Sequence, residues 1–209
     1  MIKEFCTSTV EHIPYALNNG ANRIELCSQL SVGGLTPTDE MLAQATKLAP
    51  KKVMCMIRHK EGNFQYSHND LHIMSEQIVN AKKYAIQGFV FGCLTVDNKI
   101  DERAMEYLLP FVGDYDVTFH MAFDQIDIDN QKQALKWLSD HGIKRVLSHG
   151  GNLQLPINKT IDNLKKIKKI ADSYNVILMP GGGITYQNLD NIITELPVEE
   201  IHGTKIVPL

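Results

Sequence analysis

Short runs rich in apolar and β-branched residues recur along this chain at 2–6, 23–27, 52–57, 88–92, 116–120, 145–148, 176–180 and 199–202. Between them, apolar positions return every three or four residues, the spacing of one buried helix face. Leu71, Met74, Ile78 and Ala81 form one such set. Ile161, Leu164, Ile167 and Ala171 form a second, and Leu189, Ile192, Ile193 and Leu196 a third. Thr36-Pro37-Thr38-Asp39 predicts a helix start, with Thr36 as N-cap, a proline at the first helical position and an acid at the third. Asn19-Gly20 and His141-Gly142 predict helix ends. Pro14 falls inside the first helical stretch, so that helix is expected to begin late or fray.

Strands alternating with helices pair in parallel through right-handed crossovers. Eight such units without a break predict one TIM (β/α)8 barrel domain over residues 1–209 rather than an open sheet. No linker, low-complexity tract or composition shift divides the chain. A faint internal echo, Gly20-Ala21-Asn22-Arg23-Ile24 against Gly142-Ile143-Lys144-Arg145-Val146, fits a repeated unit. Only residues 203–209 follow the eighth strand, and with Pro208 among them the eighth helix is predicted to be missing or truncated. Its absence would bare the outer faces of strands eight and one, and the expected remedy is a homodimer.

The chemistry of such barrels sits at the C-terminal ends of the strands. Side chains alternate along a strand, so Glu4 shares a face with Cys6, and Glu25 with Cys27. If these two strands pair, two thiols and two carboxylates converge. Soft thiolates select Cu(I), Zn(II) or Fe–S clusters, although buried cysteines often only pack. Met54 and Met56 share parity with Arg58, which points both thioethers inward as filling or as soft ligands. The remaining strand ends carry Arg58, Gly92, His120 followed by Asp124, Ser148-His149-Gly150-Gly151, Gly181-Gly182-Gly183 and His202. Unpaired buried charge is costly, so these groups form either a functional pocket or a salt-bridged plug of Glu4 and Glu25 with Arg58. Glycines 181 to 183 let a backbone approach a ligand, and the helix expected after them offers free N–H groups to an anion, with Thr185 as its cap. Ser148 and Gly150 would add donors; the alternative is a tight turn. His120 and His202 are candidates for acid/base work or metal ligation, or are hydrogen-bonded core histidines.

Composition narrows the partners. Across 209 residues the net charge is −3, which provides no basic field for nucleic acid or a membrane surface. No apolar run is long enough to span a bilayer. The N-terminus enters a strand directly, and Cys6, Cys27, Cys55 and Cys93 contain no CxxC pair, so reduced thiols and a cytoplasmic location are expected.

Several longer segments resemble the CutC family of copper homeostasis proteins. They are Arg23-Ile24-Glu25-Leu26-Cys27-Ser28, Gly33-Gly34-Leu35-Thr36-Pro37, Met56-Ile57-Arg58, Phe64-Gln65-Tyr66-Ser67, Val90-Phe91-Gly92-Cys93-Leu94-Thr95, Thr118-Phe119-His120-Met121-Ala122-Phe123-Asp124 and Met179-Pro180-Gly181-Gly182-Gly183-Ile184. They run in order along essentially the whole chain. The resemblance implies a TIM barrel, a cytoplasmic location and a part in copper handling. It also marks a departure: the family's usual arginine after the strand-five histidine is Met121 here, which removes an anion contact or supplies a soft ligand. The C-terminal tail is shorter than is typical of the family.

Two functions follow as expectations. One is a Cu(I)-binding protein using Cys6 and Cys27, for which two well-placed sulfurs suffice. The other is an enzyme acting on a small anionic or phosphorylated substrate. In that reading Arg58 and the loop Gly181, Gly182 and Gly183 hold the anion, while Glu25, His120, Asp124 or His202 exchange protons.

Overall fold

The structure, a computed structural model, describes residues 1–209. Eight parallel strands follow one another around a nearly closed barrel: β1 (Ile2–Thr7), β2 (Arg23–Leu26), β3 (Val53–Met56), β4 (Gly88–Phe91), β5 (Asp116–Phe119), β6 (Arg145–Ser148), β7 (Ile177–Pro180) and β8 (Glu200–Gly203). Seven helices cover them: α1 (His12–Asn18), α2 (Asp39–Leu48), α3 (His68–Ala81), α4 (Glu102–Val112), α5 (Ile128–Asp140), α6 (Ile161–Ser173) and α7 (Leu189–Glu195). None is long and apolar enough to cross a membrane. The three apolar periodicities land on α3, α6 and α7, with Leu196 at the cap just past α7, and of their positions only Ile193 is not buried.

The barrel is not sealed by hydrogen bonds all the way round. Each strand from β1 to β6 pairs with the next, and β8 pairs with β1, but no ladder joins β7 to β8. The reason is legible in the backbone. Ile177 and Gly181 donate their N–H groups to Lys144 and Ser148 beside β6, so the period of two turns residue 180 toward β8. That residue is Pro180, which has no N–H to give. The seam is stitched beyond the strands instead, where Thr185 bridges Lys205 and Tyr186 N–H donates to the Lys205 carbonyl at 2.8 Å.

Two helix starts differ from expectation. Helix α1 begins two residues before Pro14, which therefore lies in the first turn, where N–H groups have no intrahelical partner anyway. Helix α2 is capped by Thr38, whose hydroxyl accepts from Met41 N–H, with Asp39 and Glu40 in the first turn. Thr36 instead ties the loop to its neighbours, since its hydroxyl donates to Gln77 and accepts the N–H of Arg58.

No eighth helix forms, as the short tail predicted, but the flank is not left bare. Ile206 and Val207 are 0% and 1% exposed and join the core shared by strands and helices. The outward Phe5 of β1 and Ile201 of β8 are buried too. The expected homodimer thus loses the exposed patch on which it rested. Because Ile206 is packed on all sides, Ile206→Ala is expected to cost about 2–5 kcal/mol, the range for emptying a buried aliphatic site. Urea denaturation would measure it, and a loss within error of zero would show that the tail does not seal the fold.

Strand parity divides the core in two. Ile24, Leu26, Val53, Cys55, Phe89, Phe91, Val117, Phe119, Val146 and Leu178 face the helices. The alternate positions fill the barrel. One part of the interior is soft and apolar: Cys6, Cys27, Met54, Met56 and Val90. The other is a charged network. Arg23 bridges Glu4 and Glu200, and Arg145 Nε and Nη2 reach Glu200 at 2.6 and 3.0 Å. Arg145 also donates to Thr118 Oγ1 at 3.2 Å, and Arg23 to Met179 Sδ at 3.3 Å. The salt-bridged plug weighed from the sequence therefore exists, with different members: Arg23 and Arg145 supply the cations, and Arg58 takes no part.

Candidate functional site

Directly past this plug, at the C-terminal ends of the strands, lies a cavity of about 450 Å³. Its polar lining comes from Cys6 on β1, Glu25 on β2, His120 after β5 and His202 on β8. Leu30, Met56, Phe64, Met121, Leu147 and Ile184 supply apolar walls, and Thr185, Thr204 and Lys205 stand at the rim. Sequence parity thus brings Cys6, Glu25, His120 and His202 to one mouth as expected.

On the β1, β2 and β8 side the groups touch. Register places Cys6 opposite Glu25 and Glu4 opposite both Arg23 and His202. Cys6 Sγ donates to Glu25 Oε1 at 3.3 Å, and His202 Nδ1 meets Glu4 Oε1 at 2.8 Å and Glu25 Oε2 at 4.0 Å. One donor atom each from Cys6, Glu25 and His202 lies within 4.8 Å of the others. Burial would raise the Glu4 carboxyl, but the His202 hydrogen bond and the Arg23 charge pull it down to about 2. Glu25 goes the other way: burial, helped by Glu4, holds it above the ordinary carboxylate range despite His202. Burial opposes charging His202, yet Glu25 and Glu4 together raise its pKa. The neighbouring Cys27 thiol, burial and the Glu25 carboxylate all push Cys6 well above an ordinary thiol. Glu25 Oε2 has no hydrogen-bond partner in the chain.

On the opposite side His120 stands alone. Its Nδ1 accepts the N–H of Ala122 at 3.3 Å, which leaves the ring proton on Nε2. Nε2 is buried and unpartnered. Burial and the Arg58 charge lower this histidine to about 3, so the ring is neutral. Phe64 lies 4.7 Å from it, centroid to centroid. Gly92 makes room, since a Cβ there would come within 3.0 Å of Nδ1.

Several expected participants sit elsewhere. Glu4 belongs to the plug, 0% exposed and beneath the cavity. Cys27 faces the barrel interior behind Cys6, and its Sγ donates to Thr7 O at 3.7 Å. Arg58 does not line the cavity. Its guanidinium donates to the carbonyls of Val32, Gly34 and Gly62 at 2.8, 3.1 and 2.8 Å and lies over Phe64, so it clamps the loops that roof the site. Asp124 is outside the cavity and fully engaged, accepting from Ser148 Oγ and from the N–H groups of His149, Gly150 and Gly151 at 2.6–3.0 Å. The donors of Ser148 and Gly150 that were expected for a ligand anion are thus spent on an internal one.

The glycine loop also differs. Gly182 and Gly183 line the cavity, whereas Gly181 is packed beneath, where a Cβ would strike Leu147 and Met121. Five residues separate Gly183 from α7, and Thr185 does not cap it: its N–H donates to Asn188 Oδ1. The loop is held through its carbonyls, Gly181 and Gly182 against His149 Nδ1 and Gly183 against Asn188 Nδ2. His149, whose Nε2 also faces the Leu155 carbonyl, is the positioning residue here that the sequence did not single out. Lys205 carries no signal in the sequence: only the fold, through the Thr185–Lys205 bridge, brings it to the rim.

Comparison with known proteins places this geometry in a family. The sequence profile of the CutC family matches residues 1–207. A CutC protein of Enterococcus faecalis is 43% identical over 211 residues, covering 99% of this chain and 100% of its own. A human relative named copper homeostasis protein cutC homolog is 36% identical and covers 96% of this chain and 72% of its own length. The crystal structure of a Streptococcus agalactiae CutC superposes with a TM-score of 0.94 at 35% identity, over 99% of this chain and 100% of that one. More distant barrels share the fold alone, among them an aldolase with a TM-score of 0.65 at 13% identity, over 98% of this chain and 89% of that one. With matches running from end to end in both sequence and structure, the chain belongs to the CutC family.

Proposed function

We propose that this protein handles copper by taking Cu(I) at Cys6, with Cys27 as a second sulfur and His202 as a nitrogen donor. The observation that carries the reading is the convergence of Cys6, Glu25 and His202 within 4.8 Å at the floor of an open cavity. The donor set suits the ion: thiolate and imidazole are soft or borderline ligands, and Met56 adds a thioether to the wall. The imidazole must be neutral, although Glu25 and Glu4 favour its charged form, and the sulfur must be thiolate, yet Cys27, burial and Glu25 keep Cys6 protonated, so binding has to expel the thiol proton as well. Glu25 Oε1, already accepting the S–H, stands where that proton leaves. The relatives' naming for copper homeostasis supports the same reading. The expectation of a two-sulfur site is thereby widened, because the nearest partners of Cys6 include Glu25 and His202.

The test is titration of reduced protein with Cu(I) against a chromogenic Cu(I) chelator. One ion per chain is expected, with X-ray absorption showing sulfur neighbours together with a nitrogen or oxygen. Copper lost entirely to a weak chelator, or a spectrum without sulfur, would end the proposal.

A further inference from the structure

The same cavity carries a second site, reaching from Glu25 beside Cys6 to His120 and Lys205. We propose that it binds a small hydroxycarbonyl anion, whose carbonyl oxygen accepts from His120 Nε2–H, whose hydroxyl meets Glu25 Oε2, and whose charged end sits at Lys205. Two buried polar atoms without partners line this one cavity, Nε2 of His120 and Oε2 of Glu25, in residues only 4% and 2% exposed. A buried donor or acceptor left unmade is expensive, and native proteins keep few of them. A ligand that supplies an acceptor to one and a donor to the other removes both costs. A hydroxyl beside a carbonyl carries that pair on adjacent carbons.

The surroundings of His120 suit it to this contact. The Ala122 N–H fixes the tautomer, Phe64 and the Gly92 gap fix the ring, and the neighbouring Arg58 disfavours a second proton. The result is a neutral imidazole that presents one N–H and no charge, a hydrogen-bond donor for a carbonyl oxygen. Lys205 at the rim makes no ion pair or side-chain hydrogen bond, and the hydroxyls of Thr185 and Thr204 stand beside it. One unpaired cation at the entrance favours a ligand with one ionised end. That end can be a phosphate or a carboxylate, and the cavity of about 450 Å³ holds a three- or four-carbon molecule of either kind. This inference does not rest on the copper reading, since Cys6, Cys27 and His202 take no part in it, although Glu25, whose Oε1 accepts from Cys6, borders both.

The experiment uses metal-free, reduced, full-length protein and two pairs of probes. Dihydroxyacetone phosphate is compared with glycerol 3-phosphate, and hydroxypyruvate with glycerate; only the first of each pair has the carbonyl. Nitrogen-15 spectra of the imidazoles report whether His120 Nε2 is engaged. We expect saturable binding of at least one carbonyl probe with a shift of the His120 Nε2 resonance. Its affinity should exceed that of the carbonyl-free partner about tenfold, the worth of one good hydrogen bond. The pair that binds distinguishes phosphate from carboxylate. Lys205→Ala should weaken that probe without moving the carbonyl preference, and His120→Phe should erase the preference. If His120→Phe fails to fold, His120→Gln, which keeps an N–H donor, should retain part of the preference. No shift of Nε2 with either carbonyl probe, or equal binding within both pairs, would overturn the proposal. Because no copper is present, that failure would leave the Cu(I) proposal standing.

Discussion

Replacing Glu200 with alanine is expected to destabilise the fold by about 3–5 kcal/mol, the cost of stripping the partner from a buried ion pair. Glu200 is shared by Arg23 and Arg145, so its loss leaves two guanidinium groups inside the barrel with only Glu4 to balance them. A domain of this kind holds about 5–15 kcal/mol in total, so much of the protein would unfold on mild heating. The charge count supplies the control. Arg145→Met/Glu200→Met removes one charge of each sign, leaves Arg23 paired with Glu4 and should recover most of the loss. Acid should narrow the gap between wild type and Glu200→Ala. Burial would raise the folded pKa of Glu200, but Arg145 and Arg23 hold it below the unfolded value. Its stabilisation is therefore complete above the ordinary carboxylate range and disappears as pH falls through the folded value. Glu4 behaves alike and loses its share between 4.5 and about 2. Glu25, raised by burial, has the opposite sign: its contribution is fully present below 4.5 and is lost as pH rises from there through its folded value. Equilibrium urea curves at neutral pH and near pH 3 would check both signs. A Glu200→Ala deficit that grew in acid would show that the network does not carry the stability assigned to it.

That network also shows where the sequence could be read and where it could not. Strand positions were legible because alternation and helical spacing are local properties, and parity alone brought Cys6, Glu25, His120 and His202 to one mouth. The faint echo between Gly20-Ala21-Asn22-Arg23 and Gly142-Ile143-Lys144-Arg145 had a physical meaning as well. Both arginines open a strand with the same parity, both project inward, and they meet on one carboxylate. What escaped was depth along the axis. Glu4 and Glu25 head for the same interior, but Glu4 pairs with Arg23 one layer down while Glu25 reaches the cavity. Loops escaped too, because their contacts are set by residues distant in sequence. Arg58 follows the inward-facing Met54 and Met56, yet beyond the end of β3 it obeys the carbonyls of Val32, Gly34 and Gly62 rather than the pleat. Asp124, a candidate base in the sequence, lies outside the cavity and accepts from the backbone of the loop after β6.

The second large effect concerns copper. Cys6→Ser is expected to weaken Cu(I) binding by more than about 100-fold, above the loss that even an outer-shell change brings to a metal site. Serine is nearly isosteric, and its hydroxyl can donate to Glu25 Oε1 as the thiol does, so the fold should survive. Its oxygen, however, is a hard ligand that does not ionise in this setting, and Cu(I) selects soft donors. Cys27→Ser should cost less, because Cys27 lies behind Cys6 and does not line the cavity. His202→Ala should cost less than Cys6→Ser as well, but it also strips Glu4 of a hydrogen-bond partner, so its affinity must be compared alongside its unfolding curve. The double variant Cys6→Ser/Cys27→Ser should bind more weakly still, since it removes the second sulfur as well. Competition titrations on the three cysteine variants, each with its circular dichroism spectrum, decide the matter. If Cys6→Ser holds Cu(I) as tightly as wild type while Cys27→Ser loses it, the anchoring ligand lies inside the barrel and the cavity floor is not the copper site.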